Sequence, residues 1–195
     1  GVIHYDLMHN AGTVVQNSKL GFTLKDAAPL DRDFVLLYET VNHVDTSWQP
    51  VWGEVSTIRN NYTELIYHVR QTTTKVQMYI VFRLFDDGLG FRYEFPHQPE
   101  LKYFIIADEL TEFKLSGNHT AFWIPGDYDT NEYPYTKSKL SDIDAVTVSN
   151  KYTEIATRTP IAKNYVQTPL MMKTDGGLYI NIHEAALVNY SAMQI

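Results

Sequence analysis

Strand-like runs separated by turn sequences follow one another along almost the whole chain, and their spacing constrains the fold more than any other feature. The runs recur about every 8–12 residues and are rich in aromatic and β-branched side chains, which favour strands. No segment shows the 3.6-residue apolar period of an amphipathic helix. Many short strands at this spacing predict an all-β, antiparallel sandwich or barrel with little helix. No repeat, linker or low-complexity tract divides residues 1–195, so we expect a single domain.

Turn chemistry predicts how several runs pair, because glycine, asparagine and aspartate favour the backbone conformations of tight turns. Three antiparallel pairs are expected: a hairpin over 2–15, a hairpin over 76–95, and a pair formed by 168–173 and the run that begins at Leu178. Further extended segments are expected at 34–41, 48–59, 101–106, 111–115, 121–125 and 140–147, and a long polar loop at 126–144.

Composition excludes several classes of function. The formal net charge is −7 and no run of lysine or arginine occurs, which argues against a nucleic-acid partner. The chain has no cysteine, so disulfides, thiolate metal sites and cysteine nucleophiles are excluded. No apolar run approaches the roughly 20 residues of a membrane span. The chain starts directly in strand-like sequence and stops without a cap or polar tail, so we expect it to be part of a longer protein.

Glu184 is a charged residue at a position where the sequence pattern predicts an apolar one. After the Asp-Gly-Gly turn the chain alternates, so Leu178, Ile180 and Ile182 share one face of a strand and Glu184 falls in phase with them. A carboxylate on that face is costly unless it is paired, hydrogen-bonded or bound to a cation. Alternatively, the strand twists or bulges at its end near Ala185–Ala186, and Glu184 reaches solvent.

Other candidate sites each have a simpler alternative. Asp127 and Asp129 offer oxygen ligands that suit calcium, but the loop matches an EF-hand poorly, and a solvated acidic loop explains it as well. Trp123 is a flat surface on which a sugar can stack, or a buried core residue. His183 is adjacent to Glu184 on a strand, so the two side chains point to opposite faces and cannot share an ion without a bulge. The histidine spacing does not predict a zinc site.

Three parts of the sequence together resemble a known family. They are Val51–Val55 with Asp87–Phe95, then His119–Asp129, then Gly177–Leu187. In this order, over nearly the whole chain, they are similar to the N-terminal domain of glycoside hydrolase family 97. The sequence looks closest to the α-glucosidase branch, which acts on starch-derived oligosaccharides, and the retaining α-galactosidases of the family are the alternative.

The resemblance implies an antiparallel β-super-sandwich of the galactose-mutarotase type over residues 1–195, in a periplasmic bacterial enzyme. The catalytic glutamates would belong to a (β/α)₈ barrel and a small C-terminal β domain would follow, both outside this sequence, so no catalytic residue is expected here. The family's N-terminal domain lends one glutamate, in an Asn-x-His-Glu-Ala-Ala context, to a calcium ion at the barrel. In this chain the matching residue is Glu184.

The resemblance also implies the partners, which are the protein's own barrel and an α-linked oligosaccharide, while the composition predicts neither a nucleic-acid partner nor a membrane span. Alone, the chain is expected to be inactive and to bind calcium weakly, because one glutamate supplies few of the six to eight oxygens that the ion takes. His183, Trp123, Asp127 and Asp129 are candidate contacts to carbohydrate or to the barrel. Two other functions stay open, a non-catalytic carbohydrate-binding sandwich that uses Trp123 and the 126–135 loop, and a scaffold without ligand contacts.

Overall fold

The structure is a computed structural model that describes all residues, Gly1–Ile195. Its strands are β1 (Ile3–His9), β2 (Gly12–Leu20), β3 (Phe22–Leu24), β4 (Phe34–Trp48), β5 (Ile58–Gln71), β6 (Gln77–Leu84), β7 (Leu89–Glu94), β8 (Ile106–Glu109), β9 (Thr120–Trp123), β10 (Thr136–Lys139), β11 (Leu170–Lys173) and β12 (Tyr179–Ile182). A 3₁₀ helix (Leu140–Asp142) and the helix α1 (Ala145–Ser149) lie between β10 and β11. All strand pairs are antiparallel, so the predicted all-β class is confirmed. No helix is long and apolar enough to cross a membrane.

The chain divides into two compact units, Gly1–Lys114 and Leu115–Ile195. Each unit has its own sheets and its own buried apolar side chains. The expectation that residues 1–195 form a single domain stays a prediction.

The first unit packs a four-stranded sheet, in the order β4-β5-β6-β7, against the pairs β1-β2 and β3-β8. Side chains alternate along β6, so Met78 and Ile80 point into the core, where they join Phe22 of β3. Phe22 also contacts Tyr93 of β7 edge-on, with ring centroids 4.5 Å apart. Sheets that bury apolar faces against each other form the sandwich that the sequence predicts.

The second unit contains one four-stranded sheet in the order β10-β9-β11-β12. Trp123, Met172 and Ile182 from three of its strands are buried. The Asp144 side chain caps α1 by accepting a hydrogen bond from the Thr147 N–H at 3.0 Å.

The three predicted antiparallel pairs are confirmed. They are β1-β2, in which His9 faces Gly12, β6-β7, in which Leu84 faces Leu89, and β11-β12, in which Leu170 faces Ile182. The segment at 34–41 is a strand, as expected, and continues to Trp48.

Several other expectations were wrong, and the reasons are physical. Residues 49–57 are the loop between β4 and β5 rather than an extended run, because Pro50 lacks a donor N–H and Gly53 adopts a φ of 139°. Residues 140–147 form the 3₁₀ helix and the start of α1 instead of a strand, and Asp144 is the capping residue responsible.

Two further segments differ from the expectation. Residues 101–106 and 111–115 are mostly irregular, and the only strand in that region is β8. The 126–144 segment is not a continuous loop, because Thr136–Lys139 pairs with β9 as the edge strand β10. Pairing with a distant partner overrides the polar local sequence of that segment.

Candidate functional site

Glu184 lies just beyond the end of β12. The register that places Leu170 opposite Ile182, carried on by two residues, brings Pro169 opposite His183 and Thr168 opposite Glu184. Proline has no N–H to donate to the strand ladder, so the pairing stops before Glu184. The sequence pattern does not show where β12 ends. The end is determined by Pro169, which precedes the paired strand β11.

The Glu184 carboxylate is half-buried, and one of its oxygens is engaged. Oε2 accepts a hydrogen bond from the backbone N–H of Met193 at 2.9 Å, whereas Oε1 has no hydrogen-bond partner in the chain. The carboxylate lies at an open depression of about 400 Å³, which is lined by Thr168, Pro169, Asn181, His183, Glu184 and Leu187. A buried carboxylate needs hydrogen bonds or a cation to replace its lost hydration. The bond from Met193 provides this for Oε2, and Oε1 remains available to another partner.

His183 is exposed and bonds back to the main chain. Its Nδ1 lies 3.0 Å from the carbonyl oxygen of Glu184. A carbonyl oxygen only accepts, so Nδ1–H is the donor of this hydrogen bond. This bond fixes the ring beside the depression.

The chain contains no group of three or more His, Asp or Glu side chains that could hold a metal ion. Glu184 offers one free carboxylate oxygen, a hard ligand that suits calcium. Calcium takes six to eight oxygens, so Glu184 could supply one of them and the other ligands would have to come from outside this group of residues.

Asp127 is the most heavily hydrogen-bonded carboxylate and is only 6% exposed. Its Oδ1 accepts from the N–H groups of Asp129 (2.9 Å) and Thr130 (3.2 Å) and from the Thr159 hydroxyl (3.1 Å). Its Oδ2 accepts from the Tyr133 hydroxyl (2.7 Å) and the Thr159 N–H (2.9 Å). Burial raises the pKa of the Asp127 carboxyl, but these hydrogen bonds outweigh burial and hold the pKa below its usual range.

The same network continues into α1 and to Asp129. The Tyr133 hydroxyl donates to Asp127, so the Ser149 hydroxyl, 2.8 Å away and fully buried, must donate to Tyr133. Thr159 Oγ1 lies 2.7 Å from Asp129 Oδ2 and shares its one proton between the two carboxylates. A sugar hydroxyl that bonded Asp127 would have to displace one of these internal donors, so the network resembles a structural anchor of the loop.

The whole sequence matches one family model, which describes the glycosyl-hydrolase 97 N-terminal region and covers residues 1–195. The chain belongs to this family. Two structures of a glycoside hydrolase family 97 enzyme from Pseudoalteromonas sp. strain K8, in complex with panose and with acarbose, are each 32% identical with a TM-score of 0.85. Each match covers 99% of this chain and 27% of the enzyme. This family 97 N-terminal domain therefore spans about a quarter of the length of the enzymes it matches.

A β-arabinopyranosidase structure shares the fold of the family 97 domain. The two are 17% identical with a TM-score of 0.70, and the match covers 98% of this chain and 34% of that enzyme. At this identity the likeness concerns the fold alone.

Trp123 of the family 97 domain lies in the core of the second unit and is 1% exposed. Its Nε1–H donates to Ser138 Oγ on the neighbouring strand β10 at 2.9 Å. Both faces of the indole are covered by protein, which favours the core interpretation over a sugar platform.

The sequence reasoning missed the exposed apolar residues at the tip of the β4-β5 hairpin, among them Trp48 and Trp52. The signal was present, because Pro50 and Gly53 lie close together between two strand-like runs and mark a turn.

Proposed function

We propose that this chain is the N-terminal domain of a calcium-dependent, exo-acting α-glucosidase, that it packs on the catalytic barrel of the same protein, and that Glu184 is a ligand of a calcium ion at the active site. The observation that carries the proposal is Glu184 itself. It lies past a strand end within Asn181-Ile182-His183-Glu184-Ala185-Ala186, half-buried and with Oε1 free.

The local structure prepares Glu184 for this role. The Met193 N–H holds Oε2 and so fixes the carboxylate rotamer, as the outer contacts of metal ligands commonly do. The bound ion would supply positive charge that orients the sugar and the carboxylates of the barrel. Within this chain, Glu184 contributes one ligand and His183 and Asn181 shape the wall of the depression.

The proposed sugar class is supported by the ligands of a matching enzyme. A family 97 enzyme that is 32% identical to this chain binds panose and acarbose. Panose is built of α-linked glucose units, which supports an α-glucosidase that acts on starch-derived oligosaccharides. A retaining α-galactosidase of the same family is the alternative, because the residues that select the sugar would belong to the barrel. A periplasmic location is part of the proposal, and cell fractionation of the full-length protein tests it.

The test is calcium-dependent hydrolysis of p-nitrophenyl α-glucoside and α-galactoside by the full-length enzyme and its Glu184→Gln variant. Glutamine keeps the size and the acceptor for Met193 but removes the charge, so half-saturation should require at least about tenfold more calcium. Glu154→Gln is the matched control, because Glu154 is exposed in the same unit. It should behave as the unmodified enzyme.

Two outcomes would contradict the proposal. Calcium-stimulated turnover that is unchanged in Glu184→Gln would make Glu184 an ordinary strand-end carboxylate and the domain a scaffold. Hydrolysis of the α-galactoside but not of the α-glucoside would show that the enzyme is an α-galactosidase and not an α-glucosidase.

A further inference from the structure

The β4-β5 hairpin extends beyond the sheet that contains it. Strand β6 pairs with β5 only from Thr63 onward, where Thr63 faces Leu84. Residues 58–62 of β5 therefore pair only with residues 44–48 of β4. We call residues 44–62, with the 49–57 loop at their tip, the arm. A two-stranded ribbon is only marginally stable in water by itself, so we expect the arm to be stabilised by contacts with another part of the protein.

The two faces of the arm differ in chemistry. Arg59 and Asp45 form a two-pronged ion pair on one face, with distances of 2.8 and 2.6 Å. Because side chains alternate along each strand, Trp48 and Ile58, which face each other across the ladder, lie on the opposite face. Tyr62 lies on the same face nearer the sheet, beyond the polar pair Thr46–Asn60, and packs on Phe85, with ring centroids 5.2 Å apart.

The tip carries a large exposed apolar surface. Trp52 is 89% exposed, Trp48 is 52% exposed, and Val51 and Val55 are exposed as well. At roughly 250 Å² for a tryptophan, the two indoles alone present about 350 Å². The largest apolar patch of a typical monomer is about 300–600 Å² and is commonly a binding surface. Glu54 is the only charged residue among residues 48–57.

We propose that the apolar tip of the arm is a permanent docking element for the catalytic part of the same enzyme. This inference rests on the proposed function. The chain covers 27% of the family 97 enzymes that it matches, so most of such an enzyme is available as the occupant. A tip with one charge in ten residues suits a permanent apolar interface, whereas transient interfaces are more polar.

Hydrogen exchange in the full-length enzyme tests the proposal without any substitution. None of the amides of residues 49–57 donates a backbone hydrogen bond within this chain, so an undocked tip should exchange as fast as any open loop. The loop that contains Tyr103, which is 84% exposed, is the internal reference. We expect the tip to exchange at least about tenfold more slowly than this reference.

Substitution then tests whether the indoles cause the protection. In Trp48→Ser/Trp52→Ser the tip should lose its protection, whereas the matched Tyr103→Ser variant should keep it. Tip exchange as fast as that of the reference loop would overturn the proposal. So would protection that disappears on dilution, which indicates a second copy, or protection that appears only with added panose, which indicates a sugar platform.

The readout separates this inference from the proposed function. An unprotected tip together with a calcium response that depends on Glu184 would overturn the docking element alone. A protected tip with no effect of Glu184→Gln would overturn the calcium role alone.

Discussion

Asp127→Asn should destabilise the second unit strongly, although asparagine has nearly the same shape as aspartate. The substitution turns one carboxylate oxygen into an NH₂ group. In the better orientation this group replaces Oδ2, where it meets the Tyr133 hydroxyl and the Thr159 N–H. The hydroxyl can turn toward Ser149 and accept from the amide, but the Thr159 N–H loses its acceptor. An unsatisfied buried donor and the loss of charge-assisted bonds together cost about 2–4 kcal/mol.

The assay is urea unfolding followed by the fluorescence of Trp123, which is buried in the second unit. In the 195-residue chain by itself, replacing the exposed Trp48 and Trp52 by phenylalanine makes Trp123 the only tryptophan. Asp175→Asn is the matched control, since the Asp175 side chain is 91% exposed and bonds only Lys139 at the surface. Asp175→Asn should lower the free energy of unfolding by less than about 0.5 kcal/mol. If Asp127→Asn cost no more than this control, the reasoning on the network would be refuted.

The same pair of variants predicts a difference in pH dependence. The pKa of Asp127 is lower in the folded chain than in the unfolded chain, where it is about 3.9. A carboxyl whose pKa is lower in the folded state stabilises the folded chain at pH values above the unfolded-state pKa. This contribution to the free energy of unfolding is lost as the pH falls below about 3.9 toward the pKa of the folded state. The asparagine side chain that replaces Asp127 cannot titrate, so the free energy of unfolding should fall less steeply with acid in Asp127→Asn than in Asp175→Asn.

Two further substitutions test the packing of the second unit. Gly126→Ala should cost about 1–3 kcal/mol of the free energy of unfolding, because a Cβ would lie 2.9 Å from the Tyr165 carbonyl oxygen, whereas Gly176→Ala in the same unit, where the nearest atom is Thr174 Oγ1 at 3.9 Å, should show a smaller loss in the same urea assay. Ser138→Ala should cost about 1–3 kcal/mol, because the buried Trp123 N–H loses its acceptor, and a change below about 0.3 kcal/mol would mean that water replaces the hydroxyl.

Local chemistry explains which parts of the fold were predictable from sequence. The turn before Leu89 and the turn that leads to Leu178 each contain the residues that a tight turn requires, so their pairings were correct. The pairing of Met171 with Phe122 joins strands about 50 residues apart in the sequence, and no local pattern contains that information.

The candidate site shows the same division. The alternation around Ile182 places Glu184 in phase with the inward-facing residues, and the Glu184 side chain is half-buried. The end of β12 depends on Pro169, which directly precedes the neighbouring strand β11, and the anchoring of Asp127 depends on Thr159, 32 residues away. Both facts belong to tertiary structure, which the sequence pattern does not encode locally.

The uncovered arm has a consequence for the order of events during synthesis. If the full-length protein has the length of the enzymes that this chain matches at 27% coverage, about 500 residues are translated after Ile195. At about 5–20 residues per second, the ribosome needs roughly 25–100 s to complete them. Throughout that interval Trp52 and the open edge of β4 face solvent, and such an edge recruits strands from other chains. If the arm docks as proposed, protection of the nascent domain until then would fall to chaperones or to repulsion between negatively charged chains.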